Sequence, residues 1–235
     1  ILKTKLFGHV YEFKSIREVM AKANEEKSGD KLAGIAAETA EERVAAKVVL
    51  SHLTLNDLRN SPAVPYEEDE VTRIIQDAVN ETIFNEFKNM TVAEFREWLL
   101  DERTTTEMIR HASRGLTSEI VAGVCKLMSN LDLIYAAKKM RVSAHCNTTI
   151  GLPGTFSSRL QPNHTTDDPK GIIASVMEGL SLGCGDAVIG LIPVDGSLES
   201  VARILKMFDE FKRKWEIPTQ ICVLAHVTTQ MECVR

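Results

Sequence analysis

The sequence predicts an α/β protein in which a helical region precedes parallel strands, and three observations support that class. Helix-capping patterns recur through the first half of the chain. After them, short apolar runs alternate with longer amphipathic stretches in the order β-α-β-α-β. No low-complexity segment interrupts either part. We therefore expect a helical region over residues 1–140 and a strand-bearing region over residues 141–235.

The helices of the first region are predicted from their starts. A hydroxyl residue followed three positions later by Glu forms a capping box, which pairs the free amide donors of a helix start. Four boxes precede apolar periodic stretches, and their hydroxyl residues are Ser15, Thr39, Thr91 and Thr104. Pro62 and Pro65 interrupt the helical pattern, which resumes near Glu67. A longer helix is expected from Ser118 to about Lys139.

Three short apolar runs predict the strands of the second region. They are NTTIG (147–151), DAVIGLIPV (186–194) and TQICVLAHV (219–227). Asp168 and Pro169 have the character of an N-cap and a first helical residue, and LESVARILKMFDEFKRKW predicts the next helix. This order implies parallel strands with right-handed crossovers, as in a doubly wound sheet or a (β/α)8 barrel.

Composition and the absence of several motifs argue against a number of function classes. The 235 residues include 44% hydrophobic and 26% charged side chains with a net charge of −5, a profile typical of a soluble protein without a nucleic-acid footprint. No apolar run reaches the ~20 residues of a membrane span. Five scattered cysteines favour reduced thiols in the cytosol. The dinucleotide, P-loop, serine-hydrolase and zinc-protease motifs are absent from the sequence.

The stretch after the first predicted strand carries the strongest candidate site. Gly151-Leu152-Pro153-Gly154 ends the strand, and Arg159 and Gln161 follow two residues apart. The carboxyl edge of a parallel sheet is where ligands bind in both candidate architectures. An arginine supplies charged donors for a hydroxyl or carboxylate oxygen, and a glutamine can accept from an ammonium. Spacing alone leaves two interpretations open, a site for a small polar ligand and an ordinary polar loop.

A metal site is not expected. His145 and Cys146 lie near the start of the first predicted strand, whereas Cys222 and His226 lie on the third, with His226 near its end. Those positions fall at opposite edges of a parallel sheet, too far apart for shared tetrahedral ligation. Asp186 opens the second strand at the edge associated with stability, so a structural role is expected for it.

Several segments together resemble one known family. They include NTTIGLPGTFSSRLQPN, GDAVIG with a following Pro-Val, and IPTQICVLAHVTTQ. In the first region, KLFGHVYEFKSIREVMAKANEEKSGDKLAGIAA, ERVAAK, VTRIIQDAVNE and RGLTSEIVA agree in the same order. The chain resembles the front half of the large subunit of ethanolamine ammonia-lyase.

The resemblance implies a fold and a reaction. The fold is a (β/α)8 barrel, of which about the first three βα units are present, preceded by a helical region. The reaction is the adenosylcobalamin-dependent radical conversion of ethanolamine to acetaldehyde and ammonia. The resemblance further implies a small subunit as partner, a hetero-oligomer, and a cytoplasmic location in a bacterial microcompartment. No nucleic acid or membrane partner is implied.

The resemblance also assigns residues. It implies that Arg159 is catalytic and binds the substrate hydroxyl, that Gln161 binds the amino group, and that Pro193 contacts the cofactor. One position departs from the family pattern, because Ile192 stands where the family has an Asn that binds the hydroxyl. Two other functions remain open, a catalytically incompetent half-barrel that acts in assembly and an α/β domain that binds a small amino alcohol.

Overall fold

The structure, a computed structural model, describes residues 2–235. The chain divides into two compact units, of which the first ends at Arg141 and the second spans Val142–Arg235. No helix among the described residues is long and apolar enough to cross a membrane.

The first unit opens with a β-hairpin and continues as a series of short helices. The hairpin strands are β1 (Lys3–Leu6) and β2 (His9–Glu12). The helices that follow are α1 (Ile16–Lys22), α2 (Ser28–Leu32), α3 (Ala40–His52), α4 (Leu55–Arg59), α5 (Glu70–Asp77), α6 (Glu81–Phe87), α7 (Val92–Leu100), α8 (Thr106–Ser113), α9 (Ser118–Lys126) and α10 (Asn130–Lys139).

Three of the four predicted capping residues are confirmed. The side chains of Ser15, Thr39 and Thr91 accept hydrogen bonds from the backbone N–H three residues later, at the starts of α1, α3 and α7. The fourth start lies one residue later than predicted. Thr105 caps α8, because the hydroxyl of the buried Thr104 donates instead to the carbonyl of Trp98.

Three other features of this unit differ from what the sequence predicted. The helix expected from Ser118 to Lys139 is two helices, because Ser129 and Asp132 form a capping box that starts α10 anew. The hairpin of β1 and β2 was not predicted from the sequence. Phe7 and Gly8 both have positive φ angles, as a two-residue hairpin turn requires. Helix α5 begins at Glu70 rather than near Glu67, because the side chain of Asp69 caps it.

The helices of the first unit surround one hydrophobic core. Leu50, Leu55, Leu58, Val92 and Ile120 are fully buried in it. Phe87, Phe95 and Trp98 pack against each other at its side, with ring centroids 5.1 to 5.8 Å apart. Burying each large aliphatic side chain contributes roughly 1.5–3 kcal/mol, so this core is the main source of the unit's stability.

The second unit combines a small antiparallel hairpin with a three-stranded parallel sheet. The elements in chain order are β3 (Ala144–His145), β4 (Thr149–Ile150), β5 (Arg159–Leu160), α11 (Pro169–Ser181), β6 (Val188–Leu191), α12 (Leu198–Lys214), β7 (Gln220–Val223) and α13 (Val227–Val234). The sheet order is β5-β6-β7, and both pairings are parallel. The α/β class expected from the sequence is therefore confirmed.

The expected first strand of this sheet was wrong. NTTIG contributes β4, which pairs antiparallel with β3, and the first parallel strand is β5 at Arg159. Gly151 explains why the chain leaves that run. It has a φ of +90°, and a Cβ there would collide with the carbonyl of Val142. The chain therefore turns away at Gly151 and enters the parallel sheet only after Ser158.

Both crossover helices pack against one face of the parallel sheet. Ile172 and Val176 of α11, and Ile204 and Phe208 of α12, are buried with the same sheet residues. Those sheet residues are Ile189, Leu191 and Val223. Because side chains alternate along a strand, the intervening residues face the other way. We call that opposite side, which carries Arg159, Val188, Gly190, Gln220 and Cys222, the open face.

Candidate functional site

Arg159 lies on the open face, where its guanidinium crosses the middle strand. A Cβ built on Gly190 would meet a guanidinium nitrogen of Arg159 at 2.8 Å and the Sγ of Cys222 at 2.6 Å. Gly190 is buried beneath these two side chains. A glycine inside a buried strand often marks such a close approach. Gly190 therefore provides the space that Arg159 occupies, a role that the sequence analysis did not assign to it.

Gln161 follows β5 at the edge where the parallel strands end. We expected Arg159 and Gln161 together in a loop, but Arg159 belongs to the strand and only Gln161 lies beyond it. Two residues of separation place both on the same face. Within residues 2–235, neither side chain has a hydrogen-bond or ion-pair partner, and both are exposed. The part of the chain that the structure describes thus leaves this cation and this amide unpaired on one face at the end of β5.

The opposite edge of the sheet is closed by hydrogen bonds. The hairpin loop between β3 and β4 fills it, since Gln220 accepts from the N–H of Asn147 at 3.0 Å and Asn147 donates to the carbonyl of Thr219 at 3.0 Å. NTTIG therefore lies at the amino edge of the sheet. Gln161 and this hairpin loop therefore lie at opposite edges of the sheet, although they are close in sequence.

Asp186 has the structural role expected of it. Its Oδ1 accepts from the backbone N–H of Ser158 at 2.7 Å and from the Ser158 hydroxyl at 2.8 Å. These hydrogen bonds hold the pKa of the Asp186 carboxyl below its ordinary value of 3.8, and the one from the backbone N–H of Ser158 has the largest effect. The pair joins the start of β5 to the start of β6. It fixes the strand that carries Arg159.

The segment that follows β6 is held by side chains of the segment that follows β5. Asn163 Oδ1 accepts from the N–H of Ile192 at 3.0 Å. The carboxylate of Asp167 accepts from the N–H of Val194 at 3.0 Å and from that of Asp195 at 2.8 Å. Neither residue is among the site residues predicted from the sequence. Their only sequence signal was their place in a polar segment beside Pro162.

Ile192 and Pro193 lie directly after β6, at the same edge as Gln161. The side chain of Ile192 is 46% exposed, and that of Pro193 is half-buried. Val194 and Leu224 are also exposed near the ends of β6 and β7. This edge therefore exposes apolar side chains as well as the polar side chain of Gln161, which lies two residues after Arg159.

The two histidines considered for a metal make other contacts. His145 bonds to the hydroxyl of Thr149 at 2.7 Å within the hairpin. His226 is not on the third strand as expected but caps α13, because β7 ends at Val223. Across residues 2–235, no group of three acidic, histidine or cysteine side chains is close enough to hold an ion.

Comparison with known proteins gives a consistent result. The sequence model of the family described as "Ethanolamine ammonia lyase large subunit (EutB)" matches residues 11–235. The chain is 57% identical over 234 residues to the "Ethanolamine ammonia-lyase large subunit" of Escherichia coli (strain K12), and equally so to the protein of that name from Salmonella typhimurium (strain LT2). Each match covers 100% of this chain and 52% of the relative. The chain thus spans about half the length of these relatives.

Proposed function

The chain belongs to the family of ethanolamine ammonia-lyase large subunits, and from this we propose that it forms part of a lyase that converts ethanolamine to acetaldehyde and ammonia. The observation that carries the proposal to the residue level is the unpaired Arg159 and Gln161 at the carboxyl edge of the parallel sheet. Ethanolamine has one hydroxyl and one amino group, and the pair offers one cationic donor and one amide.

Arg159 binds the substrate hydroxyl in this proposal. Its guanidinium donates to the oxygen and stabilises negative charge that develops there while the amino group migrates. Gln161 accepts from the amino group through its side-chain oxygen. The two side chains share one face of β5 and the residue after it, so a two-carbon substrate can contact both. Gly190 allows the guanidinium to lie close to the sheet.

Adenosylcobalamin is the proposed cofactor. When bound, it supplies the radical chemistry that removes a hydrogen atom from the substrate carbon. The residues at the carboxyl edge fit such a group, because Ile192, Val194 and Leu224 expose apolar surface beside the polar pair. Pro193 is the proposed contact with it. This chain's own residues would orient the substrate and keep water from the reacting atoms.

The proposed architecture is the first part of a (β/α)8 barrel with a helical region before it. The sequential strand order, the parallel pairing and the placement of both helices on one face support it. The open face would then line the barrel interior. A small subunit is the proposed partner in a hetero-oligomer, and a bacterial microcompartment in the cytoplasm is the proposed location.

A non-catalytic role in assembly is the second candidate. Among the described residues, the outer strands β5 and β7 each pair with a neighbour on one side only. Their free backbone N–H and C=O groups can form hydrogen bonds with a strand of another chain. Ile192 also favours this candidate, because an aliphatic side chain cannot hydrogen-bond the substrate hydroxyl.

Ammonia release separates the two candidates. The natively expressed protein is mixed with the small subunit, adenosylcobalamin and ethanolamine, and each component is omitted in turn. The lyase proposal expects ammonia and acetaldehyde in equal amounts only when all components are present. Association with the small subunit without any product would support the assembly role. Release without adenosylcobalamin would overturn the proposed chemistry.

A further inference from the structure

We propose that Asn163 and Asp167 are positioning residues that fix the segment Ile192–Asp195 against the substrate-binding end of β5. The inference rests on the proposed function for its catalytic meaning, because that segment carries the proposed cofactor contact Pro193. We call the three hydrogen bonds that join the two segments the Asn163–Asp167 tie.

Asp167 is committed to this contact. Its side chain is buried, with the residue 3% exposed, and each carboxylate oxygen accepts from a different N–H of the next segment. A buried carboxylate requires such donors, and donors on two consecutive residues fix both the position and the direction of the backbone. The N–H groups of Val194 and Asp195 are therefore held by one rigid group.

The backbone of Asp167 supports the same conclusion. Its φ is +52°, in the left-handed region that few residues other than glycine adopt. Asp and Asn tolerate this region best among the other residues. The turn is further held by hydrogen bonds around His164, whose carbonyl accepts from the N–H of Asp167 at 3.3 Å. The chain thus maintains an uncommon conformation at the residue whose carboxylate forms the tie.

A backbone hydrogen bond connects the Asn163–Asp167 tie to Gln161, which is proposed to bind the substrate. The N–H of Asn163 donates to the carbonyl of Gln161 at 2.9 Å across the buried Pro162. The side chain of the same Asn163 then accepts from Ile192. Two hydrogen bonds therefore lead from Gln161 to the residue before Pro193. A displacement of either segment changes the distance between the proposed substrate and cofactor contacts.

Asp167→Asn tests the tie with little disturbance to the backbone. Asparagine keeps the size of the side chain and tolerates the positive φ, but its amide group offers one acceptor oxygen where the carboxylate offers two. Asp168→Asn is the matched control. Asp168 is the adjacent exposed residue, and its side chain caps α11 by accepting from Gly171, which an asparagine can also do.

Two measurements are made on the natively expressed protein with its small subunit. Hydrogen–deuterium exchange of peptides that cover residues 190–197 reports the hydrogen bonds themselves. Absorbance titration with adenosylcobalamin reports binding without requiring turnover. We expect Asp167→Asn to speed exchange in these peptides and to raise the dissociation constant, each roughly tenfold, and Asp168→Asn to change neither. Exchange in peptides from the first unit should stay unchanged in both variants.

A second pair of variants keeps the inference testable if Asp167→Asn does not fold. Asn163→Asp retains an acceptor for the N–H of Ile192, so exchange at Ile192 should match that of the unmodified protein. Asn163→Leu removes the acceptor and should speed exchange at Ile192.

The outcomes separate this inference from the proposed function. Unchanged exchange in Asp167→Asn and Asn163→Leu would overturn the tie. Faster exchange with an unchanged dissociation constant would overturn its role in positioning the cofactor contact. If the unmodified protein binds no adenosylcobalamin, the proposed cofactor falls, and the exchange data alone confirm or reject the tie.

Discussion

Arg159 depends on a residue that carries no functional group. Gly190 lies beneath its guanidinium, and any larger side chain would occupy the same space. We expect Gly190→Ala to lower kcat/KM for ethanolamine roughly tenfold or more, because the guanidinium must move from its position over the strand. Stability should also fall, by about 1–3 kcal/mol, because the Sγ of Cys222 lies 2.6 Å from the added Cβ and is held on a short side chain.

Gly196→Ala is the matched control for this prediction. A Cβ at Gly196 would meet no heavy atom within 4 Å, so the same change there should leave kcat/KM unaltered. Steady-state kinetics and thermal unfolding of both variants make the comparison. Equal kinetics in the two variants would show that the position of Arg159 over Gly190 has no bearing on turnover.

Ile192 leaves the proposed substrate hydroxyl with one potential partner fewer. We expect Ile192→Asn to raise kcat/KM roughly 2- to 12-fold, the equivalent of one neutral hydrogen bond of about 0.5–1.5 kcal/mol. Leu182→Asn serves as the control, because it also replaces an exposed aliphatic side chain by an amide, at a position after α11. An unchanged or lower kcat/KM in Ile192→Asn would indicate that the hydroxyl does not lie beside this residue.

The contact between Ser158 and Asp186 joins the starts of two strands. Its hydrogen bonds lower the pKa of Asp186 in the folded protein, so the ionised carboxylate stabilises the fold above the ordinary value of 3.8. That stabilisation is lost as the pH falls through the lowered pKa of the folded state. We expect Asp186→Asn to lower the unfolding temperature at neutral pH, and the difference from the unmodified protein to vanish in acid.

Thermal unfolding measured over a range of pH checks this expectation. Ser158→Ala removes the hydroxyl that donates to Asp186 and accepts from the N–H of Gly185, so it should also lower the unfolding temperature, with a part that persists in acid. A difference between Asp186→Asn and the unmodified protein that persists in strong acid would assign the effect to packing instead of to the ionised carboxylate.

The elements that the sequence predicted well are those with a local signal. The starts at Ser15, Thr39 and Thr91 follow from hydroxyl side chains that bond to the next turn. Strand β6 follows from an apolar run that must be buried, and α11 from its Asp-Pro start. These signals act within a few residues, so tertiary packing did not override them.

The elements that could not be predicted from the sequence depend on contacts between distant residues. Strand β5 has two residues and is defined by its pairing with β6. The β-branched run at NTTIG has strand character, but its partner is β3. The sequence placed Arg159 and Gln161 near a carboxyl edge, whereas Gly190, Asn163 and Asp167 were identified only from contacts across the sheet.

At the scale of the whole molecule, an exposed stretch without regular structure connects the two compact units along the chain. Residues 140–143 carry no regular structure, and Arg141 lies within them. We expect limiting trypsin to cleave first after Arg141, because exposed irregular segments are the preferred sites of proteolysis. Mass spectrometry of the early fragments checks this, and Arg141→Gln should delay that cut. A first cut inside the helical unit would contradict the division.

The central claim is that Arg159 binds ethanolamine during turnover. The most direct test is the rate of ammonia release from ethanolamine by Arg159→Ala, with adenosylcobalamin and the small subunit supplied. Arg203→Ala, which removes an exposed arginine from α12, is the matched control. We expect the kcat/KM of Arg159→Ala to fall roughly 10- to 100-fold with its fold intact, and that of Arg203→Ala to stay unchanged. Equal rates in the two variants would contradict the claim.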